Sequence, residues 1–141
     1  MTVTIGTLRT GIATNLATIS GLRTSATVPD APTPPQAVVI PSTITYDRAF
    51  HRGLDQYEFV VTVIVGRASD RNAQSSIDAY CNPTGASSIK TAIESDRTLG
   101  GIAQSLHVTE MLSYASTSIG DTIYLTADFS VTVYAYGVRN G

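Results

Sequence analysis

Between Ile5 and Ile19 the large apolar residues stand at Ile5, Leu8, Ile12, Leu16 and Ile19, at steps of three, four, four and three. That period is the stripe of an amphipathic helix, and it predicts a helix over residues 4–20 stopped by Gly21. The polar side is mostly threonine with a single arginine. It therefore reads as a core-facing helix rather than one lying on a membrane. Residues 23–35 hold four of the six prolines, which excludes helix and predicts an extended, solvated connection. "QAVVIP" and "STITY" follow as short β segments, with Pro41 placing them at an edge or in a broken strand.

Residues 57–65, "YEFVVTVIV", alternate with Phe59, Val61, Val63 and Val65 on one side and Val60 and Ile64 on the other. A strand apolar on both faces is covered on both, so it is expected at the centre of its sheet or at a subunit contact. A helix is predicted over 69–82, capped by Ser69 with Ala73, Ile77 and Tyr80 or Cys81 facing inward. After Pro83 and Gly85 a shorter helix restarts over 87–96, capped by Ser87, with Ile89 and Ile93 one turn apart. Two strands close the chain on either side of a turn near Gly120. In the last, Ile123, Leu125, Ala127, Phe129, Val131 and Val133 alternate with polar residues or tyrosines, the pattern of a sheet with one face on the core. The predicted order is α-β-β-α-α-β-β. This is the α+β class: one domain over 1–141, a mostly antiparallel sheet and helices packed on one face.

Composition narrows the functional classes. Only 14% of the residues are charged, well below the usual quarter, with threonine, serine and alanine in their place. Such a surface sheds little bound water when it packs against another subunit. The nine Lys and Arg residues are scattered and Lys90 is the sole lysine, against a net charge of −2. That argues against a nucleic-acid binder, which clusters cations to displace counterions. A lone cysteine, Cys81, excludes an internal disulfide and a multi-thiolate metal site; it is expected as a buried, inert thiol. No leader or membrane span is visible, so folding in a cytoplasm is expected.

Candidate chemistry is sparse. There is no Gly-x-Ser-x-Gly elbow, no metal-spaced His or Cys pair, and no phosphate-binding glycine loop. No catalytic residue, cofactor or metal is therefore assigned. His107 belongs on the polar face of its strand, and His51 lies on a different element. A hydrolase built on either would need a serine and an acid to converge there. A ligand pocket beside the sheet is a third reading that the sequence leaves open. The excursion 47–55, "DRAFHRGLD", is too long for a tight hairpin turn. It reads as an arm whose Arg48, Phe50, His51 and Arg52 contact a neighbour, with Phe50 as the anchor. In "IESDRTLGG", the buried stripe ends near Asp96, and Arg97 is expected to meet Glu94 or the free carbonyls. Leu99 plugs the helix end, and Gly100 and Gly101 supply positive φ for the reversal into a strand.

Residues 85–101 fit a run Gly-x-x-Ser-Ile/Val-x-x-Ala-Ile/Val-Glu-x-Asp-x-Thr-Leu-Gly-Gly. It is matched by Gly85, Ser88, Ile89, Ala92, Ile93, Glu94, Asp96, Thr98, Leu99, Gly100 and Gly101. Ahead of a β hairpin, this run resembles a segment of the tail terminators, or tail completion proteins, of long-tailed phages of actinobacteria. Residues 57–80 are similar to the part that precedes it, so the resemblance spans about 55–135. It implies a non-enzymatic virion protein at the tail–neck junction, assembled in the host cytoplasm as a homo-oligomer, usually a hexameric ring. The implied partners are the major tail tube protein and the neck or head-completion proteins, with genomic DNA passing through the lumen and no membrane. A neck or stopper protein on the portal side is the neighbouring alternative. Six touching spheres of this domain's size, each of radius roughly 19 Å, leave a hole of roughly 37 Å, wide enough for a duplex.

Overall fold

The computed structural model describes residues 5–19, 22–25, 35–45, 54–67, 71–85, 87–101, 103–119 and 122–136. The chain runs α1 (Ile5–Leu16), β1 (Arg23–Ser25), β2 (Gln36–Thr45), β3 (Leu54–Arg67), α2 (Arg71–Cys81), α3 (Ile89–Ile93), a 3-10 turn (Leu99–Gly101), β4 (Ser105–Ile119) and β5 (Thr122–Tyr136). The strands form one sheet in the order β1-β2-β3-β5-β4, antiparallel except for the β1–β2 pair. The α+β class and the mostly antiparallel sheet hold, and the element order gains β1 and the 3-10 turn.

The helices cover one face, and the reason is the stripe each presents. Leu8, Ile12 and Leu16 of α1, Ile77 and Tyr80 of α2, and Ile89 and Ile93 of α3 are buried in one cluster. The sheet supplies Ala37, Val39, Tyr57, Phe59, Val61, Val63, Leu106, Phe129, Val131 and Val133 to the same cluster. Each large side chain so buried contributes about 1.5–3 kcal/mol. The other face is mainly polar, but Val38 and Ile64 are buried on it beside Gln36 and Thr126. That explains the two apolar faces of β3, which is the middle strand of five.

Several boundaries differ from the sequence reading, each for a local reason. Residues 23–25 of the proline-rich connection are strand β1, hydrogen-bonded in parallel to Gln36–Val38 rather than solvated. "QAVVIP" and the "STIT" that follows are one strand, Gln36–Thr45, that absorbs Pro41 through a register shift between Pro41 and Thr43, and Tyr46 lies outside the described residues. A shift at this point accommodates the amide that proline lacks. Leu54 and Asp55 belong to β3, opposite Tyr136 and Ala135. The arm 47–55 therefore gives up its last two residues to the sheet.

The helix predicted over 87–96 spans only Ile89–Ile93, and its cap is Ser88, not Ser87. Ser88 Oγ accepts from the Thr91 amide at 3.2 Å and donates to Asn82 O at 2.6 Å, bridging the end of α2 to the start of α3. Helix α1 stops at Leu16, with Ile19 buried in the turn that follows. Ser69, the predicted cap of α2, and Gly120 lie outside the described residues.

Candidate functional site

The conspicuous sequence motif forms the joint between α3, the 3-10 turn and β4. Lys90 Nζ donates to both Glu94 oxygens at 2.7 Å, and Arg97 donates to Oε1 at 3.2 Å. The Val108 amide of β4 donates to Glu94 Oε2 at 3.0 Å. Burial alone would raise the Glu94 pKa. The Lys90 and Val108 hydrogen bonds, with the charges of Lys90 and Arg97, outweigh it and hold the carboxyl below the ordinary glutamate range. Asp96 Oδ1 accepts from the Thr98 amide at 3.2 Å and from Thr98 Oγ1 at 3.0 Å, tightening the turn.

The reversal is made by two left-handed residues, Leu99 at φ 50 and Gly101 at φ 101. A positive φ at leucine is costly, and the buried plug offsets it. The Leu99 side chain lies so close to Gly11 of α1 that a Cβ at Gly11 would sit 3.2 Å from Leu99 Cβ. The sequence reading assigned the positive φ to the two glycines and overlooked Leu99 itself. It also overlooked Asn15, a buried residue of α1 whose Nδ2 donates to Ile93 O at 2.9 Å and Asp96 O at 3.0 Å. Ile93 is the last residue of α3, where intrahelical partners run out, and Asp96 lies in the turn beyond it, its carbonyl also accepting from the Leu99 amide at 3.2 Å. A polar residue within the apolar stripe of α1, between Ile12 and Leu16, was the one available signal.

Elsewhere the candidates separate. Arg48, Phe50, His51 and Arg52 lie outside the described residues. His107 stands on the helix-free face, as predicted, opposite Thr132, which in turn pairs with Glu58. Ser105 Oγ lies 3.0 Å from His107 Nε2. This is a serine beside an imidazole, but among the described residues no carboxylate bonds to the ring. Both residues sit on the extended strand β4. Cys81 is half-buried, and burial with the Asp78 carboxylate pushes its thiol pKa up. The thiol is therefore held in its unreactive, protonated form. Among the described residues no three His, Cys, Asp or Glu side chains gather to hold a metal.

The surface that stands out is the outer part of the β4–β5 hairpin. Met111, Leu112 and Tyr114 on β4 and Ile123 on β5 are 38–55% exposed. Two register shifts in β4, at Val108–Glu110 and Met111–Ser113, move its residues off the alternation that buries Leu106 and Val108. Tyr114 Oη donates to Asp78 Oδ1 of α2 at 2.9 Å, bracing the hairpin against the helix layer. No Lys or Arg occurs between residues 98 and 138, so the whole hairpin is cation-free. Three of the four exposed apolar residues lie on β4, the last strand of the sheet among the described residues, and an edge strand invites pairing with another chain.

No protein-family model and no curated protein matches the chain. No helix among the described residues is long and apolar enough to cross a membrane. The site is thus read from its own geometry: a structural joint at Glu94–Gly101 and an exposed hairpin beyond it.

Proposed function

We propose that the chain is a structural virion protein of a long-tailed phage. It forms a ring, hexameric in this reading, that caps the finished tail tube and ends its growth. The ring then offers the surface on which the neck docks, with DNA passing through the lumen. The observation that carries this reading is the cation-free β4–β5 hairpin, whose exposed apolar residues are Met111, Leu112 and Tyr114 on the outer strand β4 and Ile123 on β5. Exposed apolar side chains gathered on one weakly charged hairpin suit a protein–protein contact. The resemblance of residues 85–101 to tail terminators supplies the lineage. The motif residues described above make structural contacts, which suits an assembly protein better than an enzyme. A cation-poor lumen lining would let DNA slide rather than hold it.

Electron microscopy and native mass measurement of the protein, alone and with purified tail tubes, test this directly. A ring-sized species seated on tube ends is expected. Protein that stays monomeric and never binds tubes would sink the proposal, and binding to DNA-filled heads instead would favour the neck or stopper role.

The Ser105–His107 contact favours one second reading, a small hydrolase. His107→Ala separates the two. As a terminator the variant caps tubes as well as the wild type does; a hydrolase would lose its activity, a fall of several orders of magnitude for a general base.

A further inference from the structure

An outer strand leaves the N–H and C=O groups of its free side unpaired. β4 has β5 as its ladder partner and is the last strand of the sheet. At Val108, however, the free side is occupied, because the amide donates to Glu94 Oε2 at 3.0 Å. Glu94 reaches β4 from the end of α3 and is only 11% exposed, held by Lys90 on its own helix and by Arg97 in the turn. The charged and titratable groups around it are Lys90 and Arg97 at the α3 end, neighbouring Asp96, and His107 beside Val108 on β4. From β5, the residue opposite is the uncharged Val131. An incoming strand would have to place a carbonyl where this carboxylate lies. Beyond Val108 the first register shift begins, and the exposed stretch of β4 follows.

We propose that Glu94 is a guard on the β4 edge: its carboxylate satisfies the Val108 amide and so excludes strand addition by another copy of the chain at the base of β4. Strand addition is thereby confined to the half of the hairpin beyond Thr109. An edge strand presents a row of N–H and C=O groups on which another chain can pair, and a charged side chain laid against that row blocks it. The inference stands apart from the tail-capping role and holds for any assembly that uses this edge.

The guard works while Glu94 is ionised. Its pKa is depressed in the folded chain, so the stabilisation is fully present above the ordinary glutamate value of about 4.3. It is lost as pH falls through the lower folded value. In the full-length protein, the Val108 amide proton resonance is expected to shift as Glu94 titrates, while the Leu106 amide stays nearly still. In Glu94→Ala, hydrogen exchange at Val108 is expected to accelerate at least tenfold relative to Leu106. At equal concentration this variant is expected to form assemblies larger than those of the wild type by sedimentation velocity. Glu94→Gln, which keeps an acceptor oxygen, is expected to fall between the two. A Val108 resonance that ignores pH, or unchanged exchange in Glu94→Ala, overturns the contact as a guard. Faster exchange with assemblies of wild-type size overturns the exclusion of strands. Should Glu94→Ala fail to fold, the wild-type titration and Glu94→Gln decide the matter.

Discussion

Asn15→Asp is expected to cost about 3–5 kcal/mol, the range for leaving a charge buried and uncompensated. The amide of Asn15 faces two carbonyl oxygens, those of Ile93 and Asp96, at 2.9 and 3.0 Å. A carboxylate there would set an anion against two acceptors, in a residue only 7% exposed. Asn15→Ala is the milder change. It removes the donor without adding charge and takes the Asn15 hydrogen bond from the Ile93 carbonyl, at about 1–3 kcal/mol, while the Asp96 carbonyl keeps the Leu99 amide at 3.2 Å. Urea denaturation at neutral pH measures both. The Asp variant should recover part of its loss in acid, where a protonated carboxyl again donates one hydrogen bond, and the Ala variant should not. Equal stability of wild type and Asn15→Asp at neutral pH would show that the α1–α3 tie does not matter.

The second large effect is on assembly. Leu112→Glu with Ile123→Glu is expected to leave the fold intact, because both side chains are more than half exposed. Exposed substitutions of this kind usually change stability by less than about 0.5 kcal/mol. If the hairpin is the assembly contact, each glutamate places a charge in a desolvated patch. Anchors in such patches are worth about 2 kcal/mol or more, roughly thirtyfold in affinity. The double variant should melt like the wild type yet fail to seat on tail tubes or to form rings. A variant that melts normally and assembles normally would remove the hairpin from the interface. Thr109→Glu, close to the guarded base of β4, serves as the comparison and should assemble nearly as well as the wild type.

These two predictions rest on residues of very different legibility. Leu112 and Ile123 are visible in the sequence as apolar positions, yet periodicity placed Ile123 on the buried face of β5 together with Val131 and Val133. Alternation says which side of a strand a residue takes, not how far the covering helices extend. The helix layer does cover Ala127 through Ala135, while Ile123 lies beyond it. Likewise β4 begins in phase, with Leu106 and Val108 inward, and two register shifts then break the alternation. No turn residue in "VTEMLSY" announces those shifts.

The motif around Glu94 shows the same division. The Glu94–Arg97 pair and the Leu99 plug follow from helix spacing and from a buried stripe that ends near Asp96, and the structure contains both. The receptor for that plug, Gly11, lies 88 residues earlier in the chain. The partner of Glu94 on β4 is a backbone amide, which no side-chain pattern can signal. Ser88 in place of Ser87 as cap is a one-residue matter of phase, decided by the oxygen of Asn82 that Ser88 must also reach.

By itself, the sequence determined the α+β class, the stripes of all three helices, the two apolar faces of β3 and the structural character of the Glu94–Gly101 run. These are consequences of local period and of burial on one or two faces, which act over a few residues. Only the tertiary structure decided that Asn15 ties α1 to the end of α3, that Glu94 closes the base of the β4 edge, and that the hairpin stands exposed beyond the helices. Each of these depends on which distant groups arrive at the same place. That is set by packing of the whole domain, and no short stretch of residues encodes it.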